Sequence, residues 1–153
     1  MPGPSILEGA IKLALVAHEG QRDWCGRPFI LHPIRVGMSL LARGEELAAC
    51  GVLHDSVEDS DGRVTYDTIL AECGSDVARI VDLLTHEPSV PYEDYILAVS
   101  MDPQATLVKL ADLADNIAPD RLMVQNDKQL ASLVKHGKAL QRLRNIAKAH
   151  GWL

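Results

Sequence analysis

From end to end the apolar residues of this chain recur at three- and four-residue spacing, and Gly, Pro or Asp-Gly cuts the pattern into short pieces. A series of short helices satisfies that rhythm, because a half-buried strand needs alternation of period two. Ser5-Ile-Leu-Glu8 is a capping box, and Ile6, Ala10, Leu13, Ala14 and Ala17 follow on one face of a helix expected to stop near Gly20. A polar stretch from Gln21 to Pro28 precedes His32-Pro33, which opens a second helix with Pro in its first turn; Val36, Leu40 and Leu41 face inward and Arg43-Gly44 ends it. Glu45 to about Asp59 reads as a third helix, with Leu47, Cys50, Val52, Leu53 and Val57 inward, before the Asp61-Gly62 turn. Thr65 or Tyr66 starts a helix ending at Cys73-Gly74, and Ser75 is expected to cap the next, which runs to about Leu84. Pro88 to Pro91 breaks the pattern, and Tyr92 to Ser100 is a short helix. Asp102-Pro103 starts the one that carries Val108, Leu110, Ala111 and Leu113, with Pro119 marking its end. Residues 127-149 form a C-terminal amphipathic helix, with Leu130, Leu133, Val134, Leu140 and Ile146 on one stripe.

Length and composition agree with this rhythm. A chain of 153 residues, 47% hydrophobic, can bury one full core. Aromatic residues make up only 4%, while Leu and Ala, which lose little freedom in a helix, are frequent. The expectation is an all-α, single-domain helical bundle over 1-153, without internal repeats or linkers. No apolar run approaches the ~20 residues of a membrane span. Met1-Pro2-Gly3-Pro4 reads as a frayed start, and Cys25, Cys50 and Cys73 are odd in number with no CxxC pair. A reduced, cytoplasmic setting with no membrane partner is expected.

The formal charge of −6 is unevenly spread. The first 120 residues carry twenty acids against eight bases, whereas Arg121, Lys128, Lys135, Lys138, Arg142, Arg144 and Lys148 face a single acid, Asp127. An acidic body argues against a nucleic-acid module, which needs a basic stripe. It suits a site where carboxylates hold a cation. The basic tail reads first as a solvated helix face and second as a surface for phosphate or a partner. That helix packs either on its own domain or on a second copy in a homo-oligomer.

Polar residues inside apolar stretches carry the chemistry. An isolated His-Asp pair is more often a cap or a surface pair, but His54-Asp55 is followed at i+4 by Glu58 and Asp59. Three carboxylates that close repel one another unless a cation neutralises them. Asp112 lies in the otherwise apolar Val108-Lys-Leu-Ala-Asp112 segment, and His32 stands at the start of its helix. Two imidazoles and two carboxylates match a divalent ion such as Mn²⁺, with positions left for water. Lys109, Arg121 and Arg27 are candidate phosphate ligands. His18 reads as a packing or supporting group, Tyr92 and Tyr95 as core or pocket wall, and His86, His136 and His150 have no metal-ligand spacing.

Four blocks together, Ala17-His-Glu-Gly-Gln21, Gly26-Arg-Pro-Phe-Ile-Leu-His-Pro-Ile-Arg-Val36, Val52-Leu-His-Asp-Ser-Val-Glu-Asp59 and Val108-Lys-Leu-Ala-Asp112 with Asn116, resemble the HD-type hydrolase domain of the RelA/SpoT alarmone enzymes. The resemblance runs from the first helix to Arg121. It implies a single HD phosphohydrolase domain in which His32, His54, Asp55 and Asp112 hold Mn²⁺. It further implies that Glu58 and Asp59 orient or deprotonate the attacking water and that Asn116 contacts the nucleotide. The implied reaction removes the 3′-pyrophosphate of (p)ppGpp, giving GDP or GTP and pyrophosphate, with a nucleotide polyphosphate as partner.

The sequence departs from that pattern where the base would bind. Arg22 lies one position early, and Asp23 and Trp24 follow; Trp24 could stack on a purine in place of the expected Arg. Leu113 and Asp115 stand where the resemblance leads to an Arg and to a His or aromatic residue. Two alternatives follow. One keeps the metal and acts on adenosine alarmones, (p)ppApp, or another nucleotide. The other is a non-catalytic nucleotide-sensing module, against which the intact Glu58 and Asp59 pair argues.

Overall fold

The Ser5 hydroxyl accepts the backbone N–H of Glu8 while the Glu8 carboxylate accepts that of Ser5, and this reciprocal cap starts α1 (Ile6–Ala17). The structure is a computed structural model that describes residues 2–121 and 124–153. Next come α2 (Leu31–Leu40), which runs into a 3₁₀ turn at Leu41–Arg43, and α3 (Glu45–Leu53). Thr65 caps α4 (Tyr66–Cys73), and α5 (Ser75–Leu84) and α6 (Tyr92–Val99) follow. The Asp102 carboxylate accepts the N–H of Ala105 to start α7 (Pro103–Asn116), and Asn126 caps α8 (Asp127–Ala149). Among the described residues there is no strand, only an isolated bridge between Arg22 and Pro28. The fold is all-α.

The helix at the centre is α3. Every residue from Leu47 to Leu53 is buried, and α1, α2, α5 and α7 all pack on it. A helix apolar on all sides needs partners on all sides. Its approach to α2 depends on two glycines. A Cβ built on Gly37 would stand 2.4 Å from Val52 Cγ2 and 2.9 Å from the Ala48 carbonyl oxygen, and one on Gly51 would stand 3.0 Å from Gly37 Cα. Only hydrogen fits between these two backbones.

Three boundaries differ from the sequence reading. The third helix ends at Leu53, six residues before Asp59, and the chain continues in turns. There the Ser56 amide bonds only three residues back, to the Leu53 carbonyl, and the His54 ring takes the Gly51 carbonyl, so the α ladder is not continued. Ser75 is the first residue of α5 and makes no side-chain cap; Gly74, at φ 87°, makes the turn instead. On α8 the stripe is buried only in its second half, at Ala139, Leu140, Leu143 and Ala147. Leu130 and Val134 are 49% and 47% exposed, because the stripe runs on past the helices that cover it.

Candidate metal centre

His54 caps the C-terminal end of α3, and its neighbour Asp55 lies in the turn beyond. Leaving the helix there lets two adjacent side chains serve one point, which a continuing helix, with about 100° between neighbours, makes difficult. The carbonyl end of α3 also carries partial negative charge, which favours a cation. His54 Nδ1 lies 2.6 Å from the Gly51 carbonyl oxygen, so Nδ1 carries a hydrogen and Nε2 is the nitrogen turned to the cluster.

His32, in the first turn of α2, is held in the same way. Its Nδ1 is 2.6 Å from Asp115 Oδ2 on α7 and 2.7 Å from Arg121 Nη1, and the accepting carboxylate is the partner that places the hydrogen on Nδ1. Arg35 grips the same carboxylate with two nitrogens, at 2.8 and 3.1 Å, and Arg121 Nη1 reaches Oδ2 at 2.9 Å. One turn earlier on α7, Asp112 is equally occupied. Lys109 donates to its Oδ2 at 2.7 Å and Asn116 Nδ2 to its Oδ1 at 2.8 Å.

The remaining ring nitrogens and carboxylate oxygens face one another. His32 Nε2 is 3.2 Å from His54 Nε2 and 3.1 Å from Asp112 Oδ1. His54 Nε2 is 3.3 Å from Asp112 Oδ1 and 3.0 Å from Asp55 Oδ2, which lies 3.6 Å from His32 Nε2. Cis ligands bound at about 2.1 Å around an octahedral ion stand about 3.0 Å apart, and tetrahedral ones about 3.4 Å. His32, His54 and Asp112 are each 2% exposed, so water does little to relieve their crowding. The donor set fits a divalent cation in its spacing, its tautomers and its charge, and the carboxylate–histidine pairing of Asp115 with His32 is what holds a metal-binding imidazole in register.

The electrostatics of the cluster agree. Burial opposes a charge on His54, but the carboxylates of Asp55 and Asp112 outweigh it and push its pKa well up. Burial likewise opposes ionised Asp112, yet Lys109 and His54 hold it well below the usual carboxylate range. Two rim carboxylates move the other way. Desolvation and the nearby Asp55 charge push Glu58 up and Asp59 up to about 6. Glu58 is oriented by the His86 backbone N–H, which donates to Oε1 at 2.8 Å. Asp55, Glu58 and Asp59 can bring one oxygen each within 4.8 Å of the others.

The remaining sequence candidates fall into two groups. Lys109, Arg121 and Asn116 are tied to the two α7 carboxylates, and Arg121 also donates to Asn116 Oδ1 at 3.1 Å. Arg22 and Trp24 are exposed and line a cavity of about 230 Å³ with Phe29, Asn116, Arg121 and His136. Arg27 bonds the Asp120 carbonyl and lies outside that cavity. His18 is buried, bonded to Gln21 at 2.8 Å and packed on Phe29, which packs on His32. Sequence reasoning missed Asp115 as a partner of His32, Arg35 as its clamp, and His136, which lines both the metal cleft and the Trp24 cavity. An acid one turn past Asp112 was the only available signal for Asp115. Nothing in the sequence marks His136.

No family model matches the chain. Among curated proteins it is 34% identical over 121 residues to the guanosine-3′,5′-bis(diphosphate) 3′-pyrophosphohydrolase of Aquifex aeolicus, covering 72% of this chain and 17% of that protein. It is 36% identical over 124 residues to the protein of that name from Danio rerio, covering 74% of this chain and 68% of that one. The chain therefore spans less than a fifth of the long Aquifex relative and about two thirds of the Danio one. A solved structure, described as a metazoan orthologue of SpoT that hydrolyses ppGpp, matches with a TM-score of 0.73 at 21% identity, over 100% of this chain and 99% of that one. That likeness establishes the fold.

Proposed function

Because the chain belongs to the HD-type guanosine-3′,5′-bis(diphosphate) 3′-pyrophosphohydrolase family, we propose that it hydrolyses the 3′-pyrophosphate of (p)ppGpp to GDP or GTP and pyrophosphate. The observation that carries this reading is the convergence of His32, His54, Asp55 and Asp112, whose ligand atoms all lie within 4.8 Å of one another. These four would hold the cation, with Mn²⁺ as the ion and 1-153 as one catalytic domain. The bound cation contributes Lewis-acid polarisation of a phosphoryl oxygen and acidification of water.

The chain's own groups supply the rest. Asp59, which titrates at about 6, and Glu58 accept and position the proton of the attacking water, the task that suits a base poised near the working pH. Lys109 on the wall of the metal cleft and Arg121 on the wall of the Trp24 cavity place fixed positive charge beside so many carboxylates, which favours an anionic substrate. Asn116, Arg22 and Trp24 line the wall where the nucleoside would lie. A reducing cytoplasm belongs to the same reading and suits three free thiols.

Metal analysis followed by turnover tests it. Protein loaded with Mn²⁺ is expected to release pyrophosphate from ppGpp; no release across a series of metals and pH values rejects the reading. A second reading rests on Trp24, 53% exposed on the base-side wall. Aromatic stacking is tolerant of base identity, which admits adenosine alarmones. A higher kcat/KM for (p)ppApp than for (p)ppGpp would select it.

A further inference from the structure

A basic face of α8 adjoins the metal cleft. Lys135, Lys138 and Arg142 stand at i, i+3 and i+7 on α8 and therefore share a face. They rim a cavity of about 280 Å³ between α8 and α6, with Pro91, Tyr92, Ile96 and Ala139 around it and Glu93 as the carboxylate on its wall. Among the described residues none of the three cations is ion-paired. The three cations line a hollow whose other walls are mainly apolar, which a merely solvated helix face would not do.

That hollow neighbours the metal cleft. Tyr92 and Lys135 belong to both walls, and Lys135 Nζ sits 4.4 Å from the Tyr92 ring centroid. The Tyr92 hydroxyl is buried without a hydrogen-bond partner. On its other side the metal cleft shares Asn116 and His136 with the Trp24 cavity. The metal cleft thus has a neighbour on each side: an aromatic hollow at Trp24, and one rimmed by cations on α8.

We propose that the cationic hollow is a subsite for a phosphate group of the substrate other than the one at the metal. The proposal rests on the nucleotide reading given above. Along a nucleoside 3′-pyrophosphate the bonded order is base, ribose, α-phosphorus, β-phosphate, with any 5′-phosphates as a second arm. With the base against Trp24 and the α-phosphorus at the metal ligands, the remaining phosphate extends toward α8. During hydrolysis the water oxygen bonds to the α-phosphorus while the O3′–P bond breaks. The 3′ oxygen takes a proton and pyrophosphate departs, so negative charge is gathered on the side where Lys135, Lys138 and Arg142 stand. Both the 3′ β-phosphate and the 5′ arm offer the same chemistry.

The test compares the Lys138→Ala/Arg142→Ala double variant with a charge-matched control, Lys128→Ala/Lys148→Ala, whose lysines are exposed on the same helix away from the hollow. All four side chains are exposed, so folding is expected to survive, and circular dichroism checks it. With Mn²⁺-loaded protein and ppGpp, the first variant is expected to raise KM about tenfold, the scale of one lost charge-assisted contact, with little change in kcat. The control is expected to stay within about twofold of wild type on the same scale. Repeating the comparison with guanosine 3′-diphosphate, which lacks 5′-phosphates, separates the sources. A KM rise that persists assigns the 3′ β-phosphate, and one that vanishes assigns the 5′ arm. Calorimetric titration with inorganic pyrophosphate reads the hollow without turnover. If wild type cleaves neither nucleotide, the nucleotide reading fails, and weaker pyrophosphate binding by the first variant alone still supports an anion site. A first variant that matches the control in every measurement obtained overturns the proposal.

Discussion

The floor of the cleft and its rim are built on opposite rules. On the floor, the groups of His32, His54 and Asp112 that point away from the shared centre are spoken for by a backbone carbonyl, a carboxylate, an ammonium or an amide. On the rim, Trp24 and Arg22 stand exposed, Glu58 is held by one backbone N–H, and Asp59 is held through its own carbonyl, which accepts from Gln21 Nε2. On the proposed function, rigidity in the first region would fix where a cation and a phosphorus sit, and openness in the second would leave the identity of the nucleotide adjustable. A family can therefore keep its chemistry while its substrates drift, provided the drift stays at the edge.

The comparison breaks most readily at Asp112. Asp112→Asn should lose the cation, measured by metal analysis, and turnover should fall to background. It should also destabilise the metal-free fold by about 3–5 kcal/mol, since it strands the buried Lys109 ammonium without its carboxylate. Chemical denaturation reads that cost, and a variant that keeps both metal and activity would remove Asp112 from the floor. Next comes Asp115→Ala, which deletes no ligand. Metal affinity measured by calorimetry should drop about 10–100-fold, the usual penalty for freeing a coordinating imidazole. An unchanged affinity would mean that Asp115 only braces Arg35 and Arg121.

Smaller effects sharpen the contrast at the rim. Trp24→Ala should raise KM about fivefold through lost stacking of about 1 kcal/mol and leave kcat near wild type. A matching fall in kcat would show that rim and floor are not separable. The smallest expected effect concerns the stability of the metal-free protein. The fold raises the Asp59 carboxyl from 3.8 to about 6, so it disfavours the ionised form. The cost is absent below pH 3.8, grows as pH rises, and is complete above about 6. Asp59→Asn should thus melt above wild type at pH 7 and converge with it at pH 4, even as activity is lost. Equal melting curves at both pH values would count against a carboxylate held at a cost.

Much of this architecture was readable before any coordinates, and the reasons differ by element. The starts of α1 and α7 are written locally, in Ser5 with Glu8 and in Asp102-Pro103, and local chemistry suffices to make them. The end of α3 was not readable, because Val57 prolongs the apolar pattern while the ladder is stopped by a side chain, His54, turning back on Gly51. The exposed first half of α8 was hidden for another reason: amphipathicity states that a stripe wants a partner, not how far the partner extends. Asp115 illustrates the third kind of gap. Its bond to His32 joins residues 83 apart, and no local pattern encodes which imidazole a given acid will meet.

The bare backbone contact between α2 and α3 reaches further than packing. α2 carries His32 and α3 ends at His54, so Gly37 and Gly51 act as the pivot of a caliper whose jaws would close on the proposed ion. A methyl group at the pivot would open the jaws without touching them, turning a change in helix spacing into a change in which ion, if any, the protein can grip.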